Sequence, residues 1–204
     1  MLLSAIASLL EWKYASTTWQ FLPQFLIILR FLLTPLLIRD AWDGKTSFFF
    51  LLAYLTAFFS DIFDGIIARR LGISTAKLRQ ADSWADVCLY LGVTVCVWRV
   101  QPQVFTQFQT PLLVLLMVQL IWWFVNLLKY GQPASYHTYS AKIWGITLFL
   151  ATIALFGFHY TGIFLWLAIL VGIVHTIEEI AMTLILPHWT HDILSLAHAW
   201  QLRV

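Results

Sequence analysis

Between residues 20 and 186 the chain passes through six apolar stretches, at about 20–39, 47–70, 82–101, 110–129, 140–158 and 161–186. Each is close to the length a helix needs to cross a bilayer. In hydrocarbon every backbone N–H and C=O has to find its partner inside the protein, so only helices and closed barrels span. The stretches lack the apolar–polar alternation of barrel strands. The expected fold is therefore all-α, a polytopic membrane protein with six transmembrane helices. Composition agrees, with 61% hydrophobic and 11% charged residues, against about 45–50% and about 25% in soluble domains. Polar breaks separate the stretches: Asp40-Ala-Trp-Asp43-Gly44-Lys45, Leu71-Gly72-Ile-Ser-Thr75, Gln101-Pro102-Gln103, Lys129-Tyr-Gly131-Gln-Pro133 and His159-Tyr-Thr-Gly162.

Residues 1–14 mix Leu2, Leu3, Ile6, Leu9 and Leu10 with Ser4, Ser8, Glu11 and Lys13, and close on Trp12-Lys13-Tyr14. That pattern predicts an N-terminal amphipathic helix lying in the membrane interface. A signal peptide is not expected, because Met1 to Leu10 carry no basic segment. One domain is predicted over 1–204: the interfacial helix 1–14, the spans within 20–186 and a tail over 187–204. Cys88 and Cys96 lie eight residues apart on one predicted helix, about 12 Å along its axis, too far to be bridged. His188, His191 and Asp192 read as a polar interfacial tail. A bilayer is the expected environment and no nucleic acid the expected partner.

Basic residues near the span ends set the orientation. With the N-terminus inside, Lys13, Arg69, Arg70, Lys77, Arg79, Lys129, Lys142 and Arg203 face the cytoplasm, against Arg39, Lys45 and Arg99 outside. A bacterial inner membrane is favoured, with an organelle membrane as the other setting.

Four acidic residues break the second and third spans: Asp61 and Asp64, then Asp82 and Asp86. A carboxylate at the centre of a membrane helix costs roughly 2.5–3.5 kcal/mol on insertion scales, so four in 26 residues need a compensating interaction. On helices, Asp61 and Asp64 share one face, and so do Asp82 and Asp86. Two such faces opposed would present a square of carboxylates, suited to hard divalent cations that also take phosphate oxygens. Arg30 lies inside the first span and needs an anionic partner. That partner is expected near the acidic site, with a structural carboxylate or helix-end carbonyls as the other reading. Glu178 and Glu179, after His175 in the sixth span, are further intramembrane candidates.

Asp61-x-x-Asp64-Gly65-x-x-Ala68-Arg69, followed at fixed spacing by Asp82-x-x-x-Asp86, resembles the signature of the CDP-alcohol phosphatidyltransferases. One position departs, with Leu78 where the family carries glycine. Pro23, Leu26, Arg30 and Pro35 similarly match the family's first-helix pattern, in which Gln24 and Ile27 replace an asparagine and a threonine. The resemblance implies that Asp61, Asp64, Asp82 and Asp86 lie at bound Mg²⁺ or Mn²⁺, and that Asp86 is the catalytic general base. It also implies that Gly65, Ala68, Arg69 and Arg30 contact the nucleotide and its phosphates. Lys142 stands at the family's basic position before the fifth span; with Arg79 and Glu178 it forms the candidate acceptor set. Lys77, Arg79 and Lys129 read equally as contacts to lipid headgroups.

The implied activity is transfer of a phosphatidyl group from CDP-diacylglycerol to an alcohol with release of CMP. Glycerol 3-phosphate is favoured as acceptor over a neutral polyol or a cationic alcohol. Transfer of a phosphoalcohol from a CDP-alcohol to diacylglycerol is the alternative within the family. By the same resemblance the protein is a homodimer. Two readings of other classes also fit intramembrane acids, a cation transporter and a catalytically silent scaffold. The clustering of the acids toward one membrane face argues against the transporter.

Overall fold

The computed structural model describes residues 21–203; the interfacial helix expected over 1–14 lies outside them. Among the described residues there are eight helices: α1 (Leu22–Asp40), α2 (Phe48–Arg70), α3 (Ala76–Val100), α4 (Gln103–Gln107), α5 (Gln109–Tyr130), α6 (Tyr139–Phe158), α7 (Ile163–Ile185) and α8 (Leu196–Gln201). Six of them (α1, α2, α3, α5, α6 and α7) are long and apolar enough to cross a membrane. The chain forms two compact units, one holding α1, α2 and α3 as far as Thr94, the other holding Trp42–Thr46 and everything from Val95 onward.

In the first unit α1 opens with Pro23 in its first turn, where a missing N–H costs nothing. At its other end Asp40 accepts hydrogen bonds from Ser47 N (2.9 Å) and Ser47 Oγ (2.5 Å), tying the start of α2 to the end of α1. Helix α2 stops at Gly72, whose φ of +66° suits glycine, and Ile73 N bonds back to Ala68 O at 3.1 Å.

Helix α3 begins at Ala76, six residues before the expected boundary at 82. Thr75 provides the cap, its Oγ1 accepting from Leu78 N at 3.3 Å. The first turns carry Lys77, Arg79 and Gln80, so hydropathy conceals a helix that capping chemistry starts.

In the second unit α5 ends at Gly131 (φ +69°), and Thr138 caps α6 by accepting from Ala141 N at 3.0 Å. Lys129 Nζ donates to the carbonyls of Thr183 (2.8 Å) and Leu184 (2.9 Å) near the end of α7. It therefore satisfies backbone acceptors at a helix end, a partner other than the headgroup expected for it. The span expected over 161–186 is α7, and the tail beyond it holds α8, capped by Ser195. Ala134, Tyr136, Met182, Leu186, Ile193 and Ala199 form a buried cluster that seats α8.

Leu113, Leu116, Leu120, Phe124 and Leu128 of α5 are all exposed. In water such a face would be a large uncompensated patch; in lipid it is the ordinary surface of a spanning helix. The protein is an integral membrane protein of the all-α polytopic class.

Candidate active site

All four aspartates of α2 and α3 meet at one side chain, Arg30 of α1. Arg30 Nη1 lies 3.1 Å from Asp61 Oδ1 and 3.1 Å from Asp82 Oδ1, and it also bonds Asp86 Oδ1. Its Nη2 bonds Asp64 Oδ2. The residue is 0% exposed, so the guanidinium itself is out of bulk water, which strengthens the pairing. Its Nε has no hydrogen-bond partner among the described residues.

Local helix geometry explains the convergence. Asp61 and Asp64 are one turn apart on α2, and Asp82 and Asp86 one turn apart on α3, so each pair projects from one face. Arg30 is placed by α1, whose Thr34 hydroxyl donates to Arg30 O at 3.0 Å. The Thr34 methyl lies against Gly92 of α3, where an added Cβ would meet it at 2.5 Å. Glycine at 92 is thus what lets α1 approach α3 at this level.

The four carboxylates differ in exposure. The Asp64 and Asp82 side chains are 3% and 7% exposed, whereas those of Asp61 and Asp86 are 38% and 35%. Each helix therefore contributes one buried and one accessible carboxylate.

Arg79, expected as an acceptor or headgroup contact, is buried. Its Nη1 lies 3.7 Å from Asp82 Oδ2, and its Nε donates to Ser74 Oγ at 3.0 Å. Four carboxylates therefore face two buried guanidinium groups, Arg30 and Arg79. Arg69 is exposed at the end of α2 and its guanidinium folds back over Gly65, where a Cβ would stand 3.2 Å from Nη1. Ala68 and Leu78 border a cavity of about 10 Å³, shared with Asp64, Arg79 and Asp82, room for about one water. Tyr90, which is not among the residues the sequence singles out, stands beside the group, with Tyr54 near it. Tyr54 is fully buried, and Tyr90 lies one turn after Asp86 and close to both Asp86 and Asp61. The one-turn spacing Asp86–Tyr90 was the available signal.

The remaining candidates belong to the second unit. Lys142 is exposed, its ammonium 5.1 Å from the centre of the Tyr139 ring. Glu178 accepts from Ser140 Oγ and from Leu196 N (3.1 Å), so both of its oxygens have protein donors. Glu179 is buried, with His175 Nε2 at 3.9 Å.

Asp61, Asp64 and Asp82 each offer a carboxylate oxygen, and these atoms lie within 4.8 Å of one another. Hard oxygen donors in surplus over nearby cations are the set that Mg²⁺ or Mn²⁺ takes. The residues fit a divalent ion.

The family model described as CDP-alcohol phosphatidyltransferase matches residues 20–174, well over half of the chain. No curated protein and no solved structure matches it.

Proposed function

The chain belongs to the CDP-alcohol phosphatidyltransferase family, and from that premise we propose that it transfers a phosphatidyl group from CDP-diacylglycerol to an alcohol, glycerol 3-phosphate before others, with release of CMP. The observation that carries this reading is the meeting of Asp61, Asp64, Asp82 and Asp86, in the family's spacing, at one buried point of a membrane protein.

Asp61, Asp64 and Asp82 would hold Mg²⁺ or Mn²⁺, with Asp86 beside them. Bound there, the ion supplies charge neutralisation of the diphosphate and polarisation of phosphorus. The protein's own groups do the rest. Arg69, free to fold over Gly65, offers a planar fork of donors to phosphate, and Ala68 keeps the neighbouring helix surface low. Asp86, one of the two accessible carboxylates, takes the proton of the acceptor hydroxyl. The hydroxyl oxygen then bonds the phosphorus of the phosphatidyl group, the bond from that phosphorus to the bridging oxygen breaks, and CMP departs with that oxygen.

Lys142 supports a phosphate-bearing acceptor, since it is exposed and cationic. Glu178 already accepts from Ser140 and Leu196, so its oxygens are engaged and less open to an acceptor hydroxyl. The basic-residue bias supports an active site toward the cytoplasm, and the family resemblance supports a homodimer.

The test is CMP release by the purified protein with CDP-diacylglycerol and glycerol 3-phosphate, a neutral polyol or a cationic alcohol. Release should be largest with glycerol 3-phosphate, and Lys142→Ala should raise its KM severalfold. An unchanged KM in Lys142→Ala, with a raised KM in Glu178→Gln, overturns the acceptor assignment. Activity only with a CDP-alcohol and diacylglycerol overturns the donor assignment.

A further inference from the structure

Arg30 does more than lie near the aspartates: one nitrogen, Nη1, contacts three of the four carboxylates, and Nη2 takes the fourth. Two of these partners, Asp61 and Asp82, belong to the trio whose oxygens could share an ion, and Asp64 is its third member. Every candidate ligand is thus already paired to the same guanidinium.

An ion bound to these oxygens sits about 2.0–2.6 Å from each. With Nη1 3.1 Å from one carboxylate oxygen each of Asp61 and Asp82, the ion would lie within a few ångströms of a fixed positive charge. Burial removes the solvent that would damp their repulsion. The side chain has the means to leave. It is long, its Nε makes no hydrogen bond, and two of its four partners are more than a third exposed.

We propose that Arg30 is an internal counter-cation of the metal site, pairing the four carboxylates in competition with the divalent ion and withdrawing from them when the ion is bound. This rests on the metal-dependent reading given above and adds a positioning role for Arg30. Without a cation four carboxylates would repel one another inside the membrane, and Arg30 relieves that repulsion while carboxylates still outnumber the buried guanidinium groups, which is the attraction for the ion. Once withdrawn, its guanidinium donors become available to the phosphates of the nucleotide, so the contact expected from the family pattern follows ion binding.

Competition is reciprocal: if Arg30 weakens the ion, the ion weakens what Arg30 contributes to stability. The experiment measures Mn²⁺ affinity by electron paramagnetic resonance of free Mn²⁺, together with thermal unfolding in detergent with chelator and with saturating Mn²⁺. Wild type, Arg30→Gln, Arg30→Lys and Asp61→Asn are compared.

Arg30→Gln should bind Mn²⁺ more tightly, by roughly 5- to 150-fold. It should unfold at clearly lower temperature than wild type in chelator and recover most of the difference in Mn²⁺. Binding lost in Asp61→Asn but equal or weaker in Arg30→Gln overturns the inference and leaves the metal reading standing. Absence of Asp61-dependent binding in wild type and Arg30→Gln alike overturns both. Should Arg30→Gln be recovered folded only in Mn²⁺, that supports the inference. Should it fold in neither condition, Arg30→Lys decides. Its single ammonium cannot fork to the same set, so its affinity should rise by a smaller factor, and an unchanged affinity overturns the proposal.

Discussion

The two units each bury a polar cluster, and the clusters are built on opposite principles. In the second unit mostly neutral side chains meet donor to acceptor, although Trp144 Nε1 and Thr190 Oγ1 are buried without a hydrogen-bond partner among the described residues. Asn126 Nδ2 donates to Trp122 O (2.9 Å), Thr183 Oγ1 lies 3.2 Å from Asn126 Oδ1, and Tyr136 OH lies 2.9 Å from Thr183 Oγ1. Ser140 meets His175 Nδ1 at 3.1 Å and donates to Glu178, which takes a second bond from Leu196 N. In the first unit the count is lopsided. A carboxylate offers about four acceptor sites and a guanidinium five donors, so Arg30 and Arg79 cannot saturate four aspartates. A matched network fixes structure; an unmatched one keeps capacity for a ligand.

The largest loss is expected from removing acceptors in the unmatched cluster. Asp61→Asn or Asp64→Asn should abolish CMP release, as chelator should in wild type, while the protein elutes as a folded species in detergent. Asp86→Asn should lower turnover by about 10²–10⁴-fold, the usual value of general-base assistance, with a smaller loss of CDP-diacylglycerol affinity than Asp61→Asn. Full activity in excess chelator would remove the distinction between the units.

A smaller effect is expected from the matched network. Asn126→Ala strips the acceptor facing Thr183 and should cost about 0.6–1.7 kcal/mol, the range of buried polar contacts in membrane proteins. It should be read as a lowered unfolding temperature, with CMP release per folded molecule unchanged. A loss of turnover without a loss of stability would show that this network serves the reaction as well.

Much of this contrast was legible in the sequence. The spans follow from apolar length, and the Asp faces follow from three- and four-residue spacing on a helix. That Arg30 needs an anion follows from its depth. Its capture of all four aspartates was not legible, because it depends on the register between α1 and its neighbours, which Thr34 and Gly92 set through shape. The burial of Arg79 was not legible for a related reason. Hydropathy placed it outside the third span, whereas Thr75 starts the helix early enough to bury it beside Asp82. Glu178, a candidate for the acceptor on chemistry alone, has its oxygens engaged by Ser140 and by a backbone N–H some eighteen residues away, a pairing no local pattern announces.

The seam between Thr34 and Gly92 has a consequence for time. Thr34 grips the carbonyl of Arg30 from one turn along, and its methyl leaves no slack against α3, so the backbone that carries the guanidinium is a fixed post. Any departure of the charge has to be a swing of the side chain about its own torsions, without the microsecond-to-millisecond sliding of whole helices. Loading of the ion should then be timed by its arrival. In stopped-flow mixing of Mn²⁺ with chelator-treated protein, the observed rate should rise linearly with Mn²⁺ concentration in a single phase. A plateau would mean that a step ahead of binding, release of Arg30 from its partners or movement of the post itself, limits loading.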